Sequence, residues 1–595
     1  MSEQPGAQTL NDYLERITGR PDAGLRFLDR GEKAHQVGWA EVRDRARAVC
    51  GGLQELGVQP GDRVALVFPT GLDFFAAFFG TLLAGAVPAP LYPPVRLGRL
   101  DEYLRRTARM LEVTKAVLVL ADIRVKRILG ESVALARPRL GCRTLDELPR
   151  EDGRPVAVAP SDLALIQFSS GTTVDPKPVA LSHRAIVAQT EILNGFWQDT
   201  ETLRHSCVSW LPLYHDMGLI GCVFPALSRE AELTLLGPEL FVARPALWLR
   251  AISRYRATIS PAPNFAYGLC VHRIADAEME GVDLSCWQTA LNGAEPVAPS
   301  VLRAFVDRFA RWGFRPEALT PVYGLSEAAL AVTFSDIGAR FRCRRFDRDA
   351  LSRSGAAREV ADGREIVSVG RPVPGFRVSL RDEDGREMPS GRIGRVWIQG
   401  PSLMDGYLDD PATTARALRD GWLDTGDLGF FHPPDETGEL FLAGRAKDVV
   451  ILRGRNHAPD EIERAADGLP GFRTGCAIAA SWLPEGAEGE LLALFVEVSR
   501  TASDAELAAL PERCREAVLT ATGLAVDRVE VLAPGTLPRT SSGKLRRQEA
   551  LRLYLAGALT PPQPVTPLRM AKAMARSGIA YARFRWSRPG ETPSG

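Results

Sequence analysis

The chain has 595 residues, of which 45% are hydrophobic and 25% are charged, and its formal net charge is zero. This length predicts several domains with at least one large core, and the composition is typical of a globular protein. The balanced charge gives no basic field for nucleic acid, so we predict no nucleic-acid partner. The nine cysteines are scattered without a CxxC pair. This pattern favours a reducing compartment, the cytoplasm, over a disulfide framework or a zinc site.

The sequence carries no signal for membrane insertion. The first twenty residues, MSEQPGAQTLNDYLERITGR, contain no apolar core of a signal peptide. The most apolar run, FFAAFFGTLLAGAV at residues 74–87, is too short to cross a bilayer. We therefore expect a buried helix over 74–87 and no transmembrane segment.

Short apolar runs alternate with stretches of helical spacing over most of the chain. Residues 63–68 and 115–122 predict buried strands, and residues 103–113 predict a helix. This alternation indicates the α/β class, with parallel sheets in layers. From about residue 367 the texture changes to short strands separated by Asp-Gly and Ser-Gly turns, which predicts a small β-rich unit.

These patterns predict three parts of the chain. A large N-terminal domain covers residues 1–446, with the β-rich subdomain at about 367–446. A small C-terminal α/β domain follows at 447–556, and residues 557–595 form a tail that is Pro-rich and then basic.

The stretch IQFSSGTTVDPKPVALSH, residues 166–183, is typical of a phosphate-binding loop. The run at 163–168 predicts a strand, and Ser182 is a good N-cap for a following helix. The hydroxyls, the glycine and Lys177 of this stretch are suited to binding phosphate oxygens. The segment lacks the GxxxxGK[ST] pattern of a Walker loop. A solvated Ser/Thr/Gly turn is the alternative for this stretch alone.

Six motifs in a fixed order resemble those of the adenylate-forming superfamily, which includes acyl-CoA synthetases, luciferases and peptide-synthetase adenylation domains. The resemblance extends from about residue 9 to about residue 554. The motifs after the loop are WLPLYHDMGLIG (210–221), LNGAEPV (291–297), PVYGLSEAAL (321–330), WLDTGDLGF (422–430), GRAKDVVILRGRNHAPDEIE (444–463) and LPRTSSGKLRR (537–547). The superfamily's small C-terminal domain is mobile, so the resemblance implies a mobile domain here.

Finer features are similar to one branch, the fatty acyl-AMP ligases. They include HDMGLIG, RGRNHAPDEIE and AGAVPAPLYPP at 84–94. Members of that branch carry an extra segment between the YGLSEA and VGRPVPG motifs, and FDRDALSRSG at 346–355 resembles it.

The resemblance implies the reaction of a carboxylic acid, expected to be a fatty acid, with ATP and Mg²⁺ to give acyl-AMP and pyrophosphate. The acyl group would then pass to the phosphopantetheine thiol of an acyl carrier protein or of a synthase carrier domain. The catalytic residues would be Lys544 and His215, and Lys447 would be the hinge. Thr172 and Glu327 would hold the metal.

The remaining site residues follow from the same resemblance. Ser170, Gly171, Thr172, Thr173 and Lys177 would bind the phosphates; Gly293, Ala294, Glu295, Tyr323, Gly324, Leu325 and Ser326 the adenine side; and Asp427 the ribose. Arg445 would help to fix the ribose or the phosphate. The acyl pocket would include Met217, Gly218 and Phe265.

Val174 and Pro178 depart from the family loop, which usually has glycine at both positions. A β-branched residue does not easily adopt φ > 0, and proline lacks a donor N–H. Since Lys544, Glu327 and Asp427 are present, we interpret the loop as retuned. Two alternatives remain: an acyl-CoA synthetase, and a non-catalytic nucleotide- or acyl-binding relative.

The basic tail has two interpretations. It is either solvated or folded back on the protein, or it is a docking arm for an acidic partner or an anionic membrane.

Overall fold

The computed structural model describes residues 6–94, 97–169, 176–389, 391–433, 438–452, 455–484, 489–540 and 543–586. Helices and strands are mixed along the chain, and a small C-terminal unit follows a large N-terminal one. This confirms the predicted α/β class. The domain boundaries at 446 and 556 stay predictions.

The α-helices of the described residues are, in chain order, α1 Leu10–Glu15, α2 Trp39–Glu55, α3 Leu72–Leu83, α4 Leu100–Thr114, α5 Ile123–Ala136, α6 His183–Phe196, α7 Asp216–Gly218, α8 Phe224–Ser228, α9 Pro238–Ala243, α10 Ala246–Arg254, α11 Asn264–Arg273, α12 Pro299–Phe309, α13 Arg348–Ser354, α14 Pro411–Ala417, α15 Pro459–Arg464, α16 Asp504–Thr522, α17 Arg547–Leu555 and α18 Pro567–Trp586.

The strands of the large domain are β1 Gly24–Leu28, β2 Ala34–Gly38, β3 Arg63–Val67, β4 Val87–Pro90, β5 Leu118–Ala121, β6 Cys142–Arg143, β7 Leu163–Phe168, β8 Pro178–Ser182, β9 Cys207–Ser209, β10 Glu232–Leu236, β11 Ile259–Ala262, β12 Thr289–Asn292, β13 Leu319–Gly324, β14 Ala331–Phe334, β15 Cys343–Phe346, β16 Arg364–Val367, β17 Arg371–Pro372, β18 Arg377–Arg381, β19 Gly394–Gln399, β20 Gly406–Tyr407, β21 Leu418–Arg419, β22 Trp422–His432 and β23 Glu439–Arg445. Those of the small domain are β24 Val450–Leu452, β25 Arg455–His457, β26 Phe472–Trp482, β27 Leu491–Val498 and β28 Arg528–Leu532.

A nine-stranded sheet forms the centre of the large domain, in the order β17-β14-β13-β12-β11-β9-β10-β1-β2. Its strands from β13 to β1 are parallel neighbours. The carboxyl ends of parallel strands lie at one edge, where ligands bind in open α/β sheets. The segments that follow β12 and β13 carry predicted adenine-side residues, so the sheet brings them to a common edge.

A four-stranded parallel sheet, β4-β3-β5-β6, contains the two strands predicted near residues 63–68 and 115–122. The second strand begins only at Leu118, because Lys115 ends α4 in the left-handed conformation (φ 50°). The apolar run at 74–87 is buried as predicted, but its helix ends at Leu83. Gly85 then turns the chain at φ +71°, and Val87 begins β4. The expectation of one helix to residue 87 was therefore wrong.

The phosphate-loop stretch joins two strands, not a strand and a helix. β7 and β8 pair antiparallel, with Phe168 opposite Pro178, and α6 follows β8. Pro178 is the first residue of β8, a position that tolerates a missing N–H. Ser182 is the N-cap residue of α6, but its hydroxyl makes no capping hydrogen bond.

The β-rich unit is a sheet of β18, β19, β22 and β21, with β23 paired to β22. In chain order, β15, α13 and β16 lie between β14 and β17 of the central sheet, and they contain the stretch at 346–355 that resembles the extra segment. Phe346 is buried against Phe430 and Phe441, which fixes this segment on the large domain.

The small domain is a three-stranded sheet covered on both faces. Because side chains alternate along a strand, Ala477 and Ala479 of β26 face α16, whereas Ile478 and Ala480 face α17. Helix α18 then leaves the small domain and packs against α5 of the large domain. Within the described residues, no helix is both long enough and apolar enough to cross a membrane.

Candidate active site

A cavity of about 630 Å³ lies where the small domain meets the large one. Its walls include Lys177, Asp216 and Glu327 of the large domain and Lys544 of the small domain. The fold thus brings residues from opposite ends of the chain to one cleft.

The predicted phosphate-binding residues Ser170, Gly171, Thr172 and Thr173, together with Val174, lie outside the described residues. The ends of their loop are described, and the backbone N–H of Ser169 donates to the carbonyl of Lys177 at 2.9 Å. The Lys177 ammonium lies 4.5 Å from the centre of the Tyr407 ring. Burial lowers the pKa of Lys177, and nearby Lys447 lowers it further. A half-buried ammonium beside a second lysine is a suitable binding group for an anion.

Glu327, the predicted metal ligand, lines the same cavity as Lys177. Its Oε1 accepts a hydrogen bond from the Tyr407 hydroxyl at 3.0 Å. Burial raises the pKa of Glu327 above the ordinary range. A carboxylate that is desolvated in this way gains stability from a cation.

Asp427 and Arg445 face each other across β22 and β23. Arg445 Nε lies 2.9 Å from Asp427 Oδ1, and the Tyr323 hydroxyl donates to Asp427 Oδ2 at 2.7 Å. The charge of Asp427 raises the pKa of Arg445, and burial raises that of Tyr323. Both carboxylate oxygens therefore already accept one hydrogen bond, and each retains a lone pair for a ligand hydroxyl.

The segment after β12 contributes unequally to the cavity. Ala294 lines it with φ +68°, whereas Gly293 packs behind, where an added Cβ would lie 2.8 Å from Val322. The Glu295 carboxylate accepts from the backbone N–H of Phe265 at 2.6 Å, in the first turn of α11. In this arrangement Glu295 stabilises α11 and does not line the cavity.

The end of β13 and the segment after it lie in the wall as the sequence predicted, because Gly324, Leu325 and Ser326 all line the cavity. A Cβ on Gly324 would lie 1.8 Å from the Leu330 carbonyl. Glycine is therefore required by the close approach of two backbones.

His215 lines the cavity and contacts a carboxylate that sequence reasoning missed. Its Nδ1 lies 2.7 Å from Asp216 Oδ1, and the Ser326 hydroxyl donates to Asp216 Oδ2 at 2.5 Å. Burial opposes ionisation of Asp216, but His215 and Ser326 together hold its pKa below the ordinary range. Asp216 is adjacent to His215 in HDMGLIG, and this adjacency was the available signal.

Lys544 reaches the cavity from a turn of the small domain. The turn closes through Thr540, whose hydroxyl accepts from the backbone N–H of Lys544 at 3.1 Å. Burial lowers the pKa of Lys544, and the attraction of Asp216 opposes that shift. The ammonium thus lies in a desolvated position where it can stabilise developing negative charge.

Lys447, the predicted hinge, also lines the cavity, and its carbonyl accepts from the Gln548 side chain at 2.8 Å. Of the predicted acyl-pocket residues, only Met217 is in the wall. Gly218 fits beneath the Pro212 carbonyl, which an added Cβ would approach to 2.3 Å. Phe265 stacks edge-on to Trp210 instead. The rest of the apolar wall includes residues that the sequence did not identify, among them Leu193, Trp197, Cys222, Ile259, Ala331 and Phe334.

Comparison with known proteins identifies relatives over most of the chain. The family model described as AMP-binding enzyme matches residues 16–408. A Caulobacter vibrioides protein with the provisional name acyl-CoA synthetase is 36% identical, over 92% of this chain and 96% of that protein. The Moorena producens protein named medium-chain fatty acid–acyl carrier protein ligase JamA is 33% identical, over 93% of this chain and 96% of that protein. A solved structure from a study of fatty acyl-adenylate ligases of E. coli and L. pneumophila has a TM-score of 0.84 at 32% identity, covering 92% of this chain and 98% of that one.

Proposed function

The chain belongs to the AMP-binding enzyme family, and from this membership and the contents of its cleft we propose that it activates a fatty acid as acyl-AMP and passes the acyl group to a carrier-protein thiol. The observation that carries the proposal is the cavity that unites Lys544 of the small domain with His215 and Glu327 of the large one. Asp427 lies behind its wall, hydrogen-bonded to the lining residues Tyr323 and Arg445. Such a cleft can hold two anions against each other.

In the first half-reaction, a carboxylate oxygen of the fatty acid attacks the α-phosphorus of ATP. The bond from that phosphorus to the bridging oxygen breaks, and pyrophosphate leaves with the electron pair. Lys544 stabilises the negative charge shared by the carboxylate and the α-phosphate in the transition state. His215, oriented by Asp216, positions the carboxylate.

The remaining polar residues of the cleft hold the nucleotide. Lys177, with the loop residues Ser170 to Thr173, binds the phosphates. Asp427 accepts hydrogen bonds from the ribose hydroxyls, and Tyr323 stacks on the adenine. The hydrogen bond from Tyr323 to Asp427 supports this pairing, because it fixes the ring and the carboxylate relative to each other.

Mg²⁺ fits the cleft as an ion held mainly by ATP. No cluster of three acidic, His or Cys side chains suited to a metal occurs among the described residues, but Glu327 lines the cavity next to Lys177. Mg²⁺ is usually bound by one or two carboxylates together with substrate phosphates. Glu327, with Thr172, would hold it, and the ion would neutralise phosphate charge.

In the second half-reaction, the phosphopantetheine thiol of a carrier protein attacks the acyl carbon. AMP leaves with the electron pair, and the thiol loses its proton. The small domain, residues 447–556, first turns about Lys447 and withdraws Lys544. A carrier as acceptor is supported by the similarity to JamA. A carrier as acceptor is also supported by two ion pairs that join the extra segment to the small domain, Arg348–Glu461 at 2.7 Å and Arg364–Asp460 at 3.3 Å. These pairs hinder the domain movement that the use of free CoA requires.

An acyl-CoA synthetase is the second candidate, favoured by the name of the Caulobacter vibrioides relative. A panel of fatty acids with ATP, read out by pyrophosphate release and hydroxamate trapping, tests adenylation. Adding CoA or a holo-carrier protein then identifies the acceptor. Acyl-CoA formation at the adenylation rate would make CoA the acceptor, and silence with every acid would make the protein a non-catalytic relative. The nine cysteines are thiols, and we place the reaction in the reducing cytoplasm.

The unusual loop is tested separately. If Val174 and Pro178 retune it, the native protein releases pyrophosphate and does not need glycine at either position. If the native protein is silent and Val174→Gly with Pro178→Gly is active, the loop has decayed.

A further inference from the structure

The tail helix α18 crosses α5 of the large domain at close range. The backbone N–H of Gly130 in α5 lies 2.7 Å from the Ser577 hydroxyl of α18. A Cβ on Gly130 would lie 2.1 Å from the Ser577 carbonyl. Because only glycine permits this approach, the two helix backbones are in direct contact at this point.

Three further contacts hold α18 in place. The Tyr581 hydroxyl donates to the Cys142 carbonyl at 2.8 Å, at the end of β6. Phe584 is buried in the apolar cluster that covers the four-stranded sheet. Arg576 forms ion pairs with Asp101 and with Glu131. Burial of the aromatic ring outweighs the exposed ion pairs, which contribute at most about 1 kcal/mol each.

The linker between α17 and α18, residues 556–566, is also attached to the large domain. Arg99 donates to the carbonyls of Thr560 in the linker and Thr536 in the small domain, at 3.0 and 2.9 Å. The backbone N–H of Gln563 donates to the Gly98 carbonyl at 3.1 Å. The small domain is therefore connected to the large one at both of its ends, at Lys447 and through this linker.

We propose that the linker and α18 form a strap that holds the small domain over the cleft and helps select the acyl acceptor. This rests on the proposed function, because it concerns the acceptor of the second half-reaction. While Arg99 stays bound to Thr560, the end of α17 at Leu555 can lie at most about 18 Å from Thr560, which is the extended length of five residues. If the whole linker peels away and α18 stays docked, twelve residues span about 42 Å. Movement of the small domain that carries Thr536 and Thr560 away from Arg99 therefore breaks the linker contacts, and the docked α18 limits how far Lys544 can withdraw.

The strap discriminates between acceptors through binding energy. A carrier protein contacts the enzyme over a protein surface, and that binding free energy can offset the broken strap contacts. Free CoA makes fewer contacts and cannot offset them to the same extent. The strap therefore selects for an acceptor that is attached to a protein.

Full-length variants that undock α18 test the strap. Gly130→Leu forces the helices apart, and Tyr581→Ala with Phe584→Ala removes the anchors while leaving the large domain unchanged. The matched control is Ile579→Ala on the outer face of α18, where Ile579 is 55% exposed. Trypsin cleavage of the tail reports undocking. The closed orientation is reported by the cross-linking rate of an added cysteine pair, Arg348→Cys with Glu461→Cys, which every variant and the control carry, so that the loss of this ion pair is the same in all of them.

Undocked variants are expected to cross-link at least threefold more slowly than the control and the native tail. Their ratio of acyl-CoA formation to adenylation is expected to rise at least threefold. Faster tail cleavage with an unchanged cross-linking rate overturns the strap, and so does a tail that stays protected in the Tyr581/Phe584 variant. Failure of the proposed function is distinguishable from failure of the strap. If the native protein does not adenylate any acid, the cross-linking rates of the undocked variants and the control still show whether the strap holds the small domain closed.

Discussion

At the scale of single residues, Lys544 is the contribution of the small domain to the cleft. Lys544→Ala removes a charge that acts mainly in the transition state, so kcat is affected more than substrate affinity. We expect acyl-AMP formation to fall on the order of 10²-fold or more, with ATP binding largely unchanged. Single-turnover adenylation and equilibrium ATP binding measure the two effects. Near-native single-turnover adenylation would contradict the assigned role.

Asp216 has an effect that a pH profile can isolate. Burial lowers the pKa of Lys544 and Asp216 raises it, so loss of the carboxylate lowers that pKa further. Asp216→Asn should therefore move the alkaline loss of adenylation to lower pH, because the ammonium deprotonates earlier. We also expect kcat to fall about tenfold or more.

The control for this prediction is Ser326→Ala, which removes a hydrogen bond to Asp216 but no charge. Its alkaline limb should stay at the native position. An Asp216→Asn enzyme with an unshifted alkaline limb would show that Asp216 does not act through Lys544.

At the scale of elements, the β7–β8 hairpin explains one of the two unusual loop residues. Pro178 begins β8 opposite Phe168, so its missing N–H removes no hydrogen bond from the middle of a strand. The proline is thus compatible with the strand that follows the loop. Val174 lies outside the described residues.

The contact between α1 and α6 makes stability depend on pH. His183 is buried, its Nδ1 accepts from the backbone N–H of Leu10 at 3.1 Å, and burial lowers its pKa to about 4. Between the ordinary pKa of about 6.5 and pH 4, the unfolded chain binds a proton that the folded chain does not. The free energy of unfolding should therefore decrease by up to about 1.4 kcal/mol per pH unit as pH falls through this range.

His183→Asn keeps an acceptor at the Nδ1 position and removes the titration. The drop in thermal midpoint from pH 7 to pH 5 should be smaller in this variant than in the native protein. Equal drops would assign the acid sensitivity to other groups.

At the scale of the whole molecule, the extra segment and the small domain meet through ion pairs. Arg364 is largely buried and pairs with Asp460 and Glu461 of α15. Arg364→Ala leaves these carboxylates without that partner, which weakens the closed orientation. We expect the ratio of acyl-CoA formation to adenylation to rise severalfold, measured with a fatty acid, ATP and CoA.

Arg353→Ala is the matched control, because Arg353 is exposed and pairs with Asp349 within α13. It should leave the ratio unchanged. An equal change in both variants would indicate a general effect on the segment, whereas no change in Arg364→Ala would show that this contact does not affect acceptor use.

The sequence by itself determined the α/β class, the family and several charged residues of the cleft. The motifs that resemble the family place lysines, carboxylates and glycines in short local stretches, so Lys177, Glu327 and Lys544, which line the cavity, were identifiable by position along the chain. Local patterns also located β7 and α6. They gave the wrong end for α3, because the apolar run continues to residue 87 whereas the helix ends at Leu83.

Only the tertiary structure decided which of these residues meet. Ser326 and Asp216 are 110 positions apart and share a hydrogen bond, and Gly130 and Ser577 are 447 positions apart and lie in backbone contact. The tertiary structure also decided which residues form the apolar wall of the cavity, and that the Glu295 carboxylate faces α11. Periodicity and composition report whether a side chain is buried, but the choice of its partner depends on how sheets and domains pack, which no local stretch encodes.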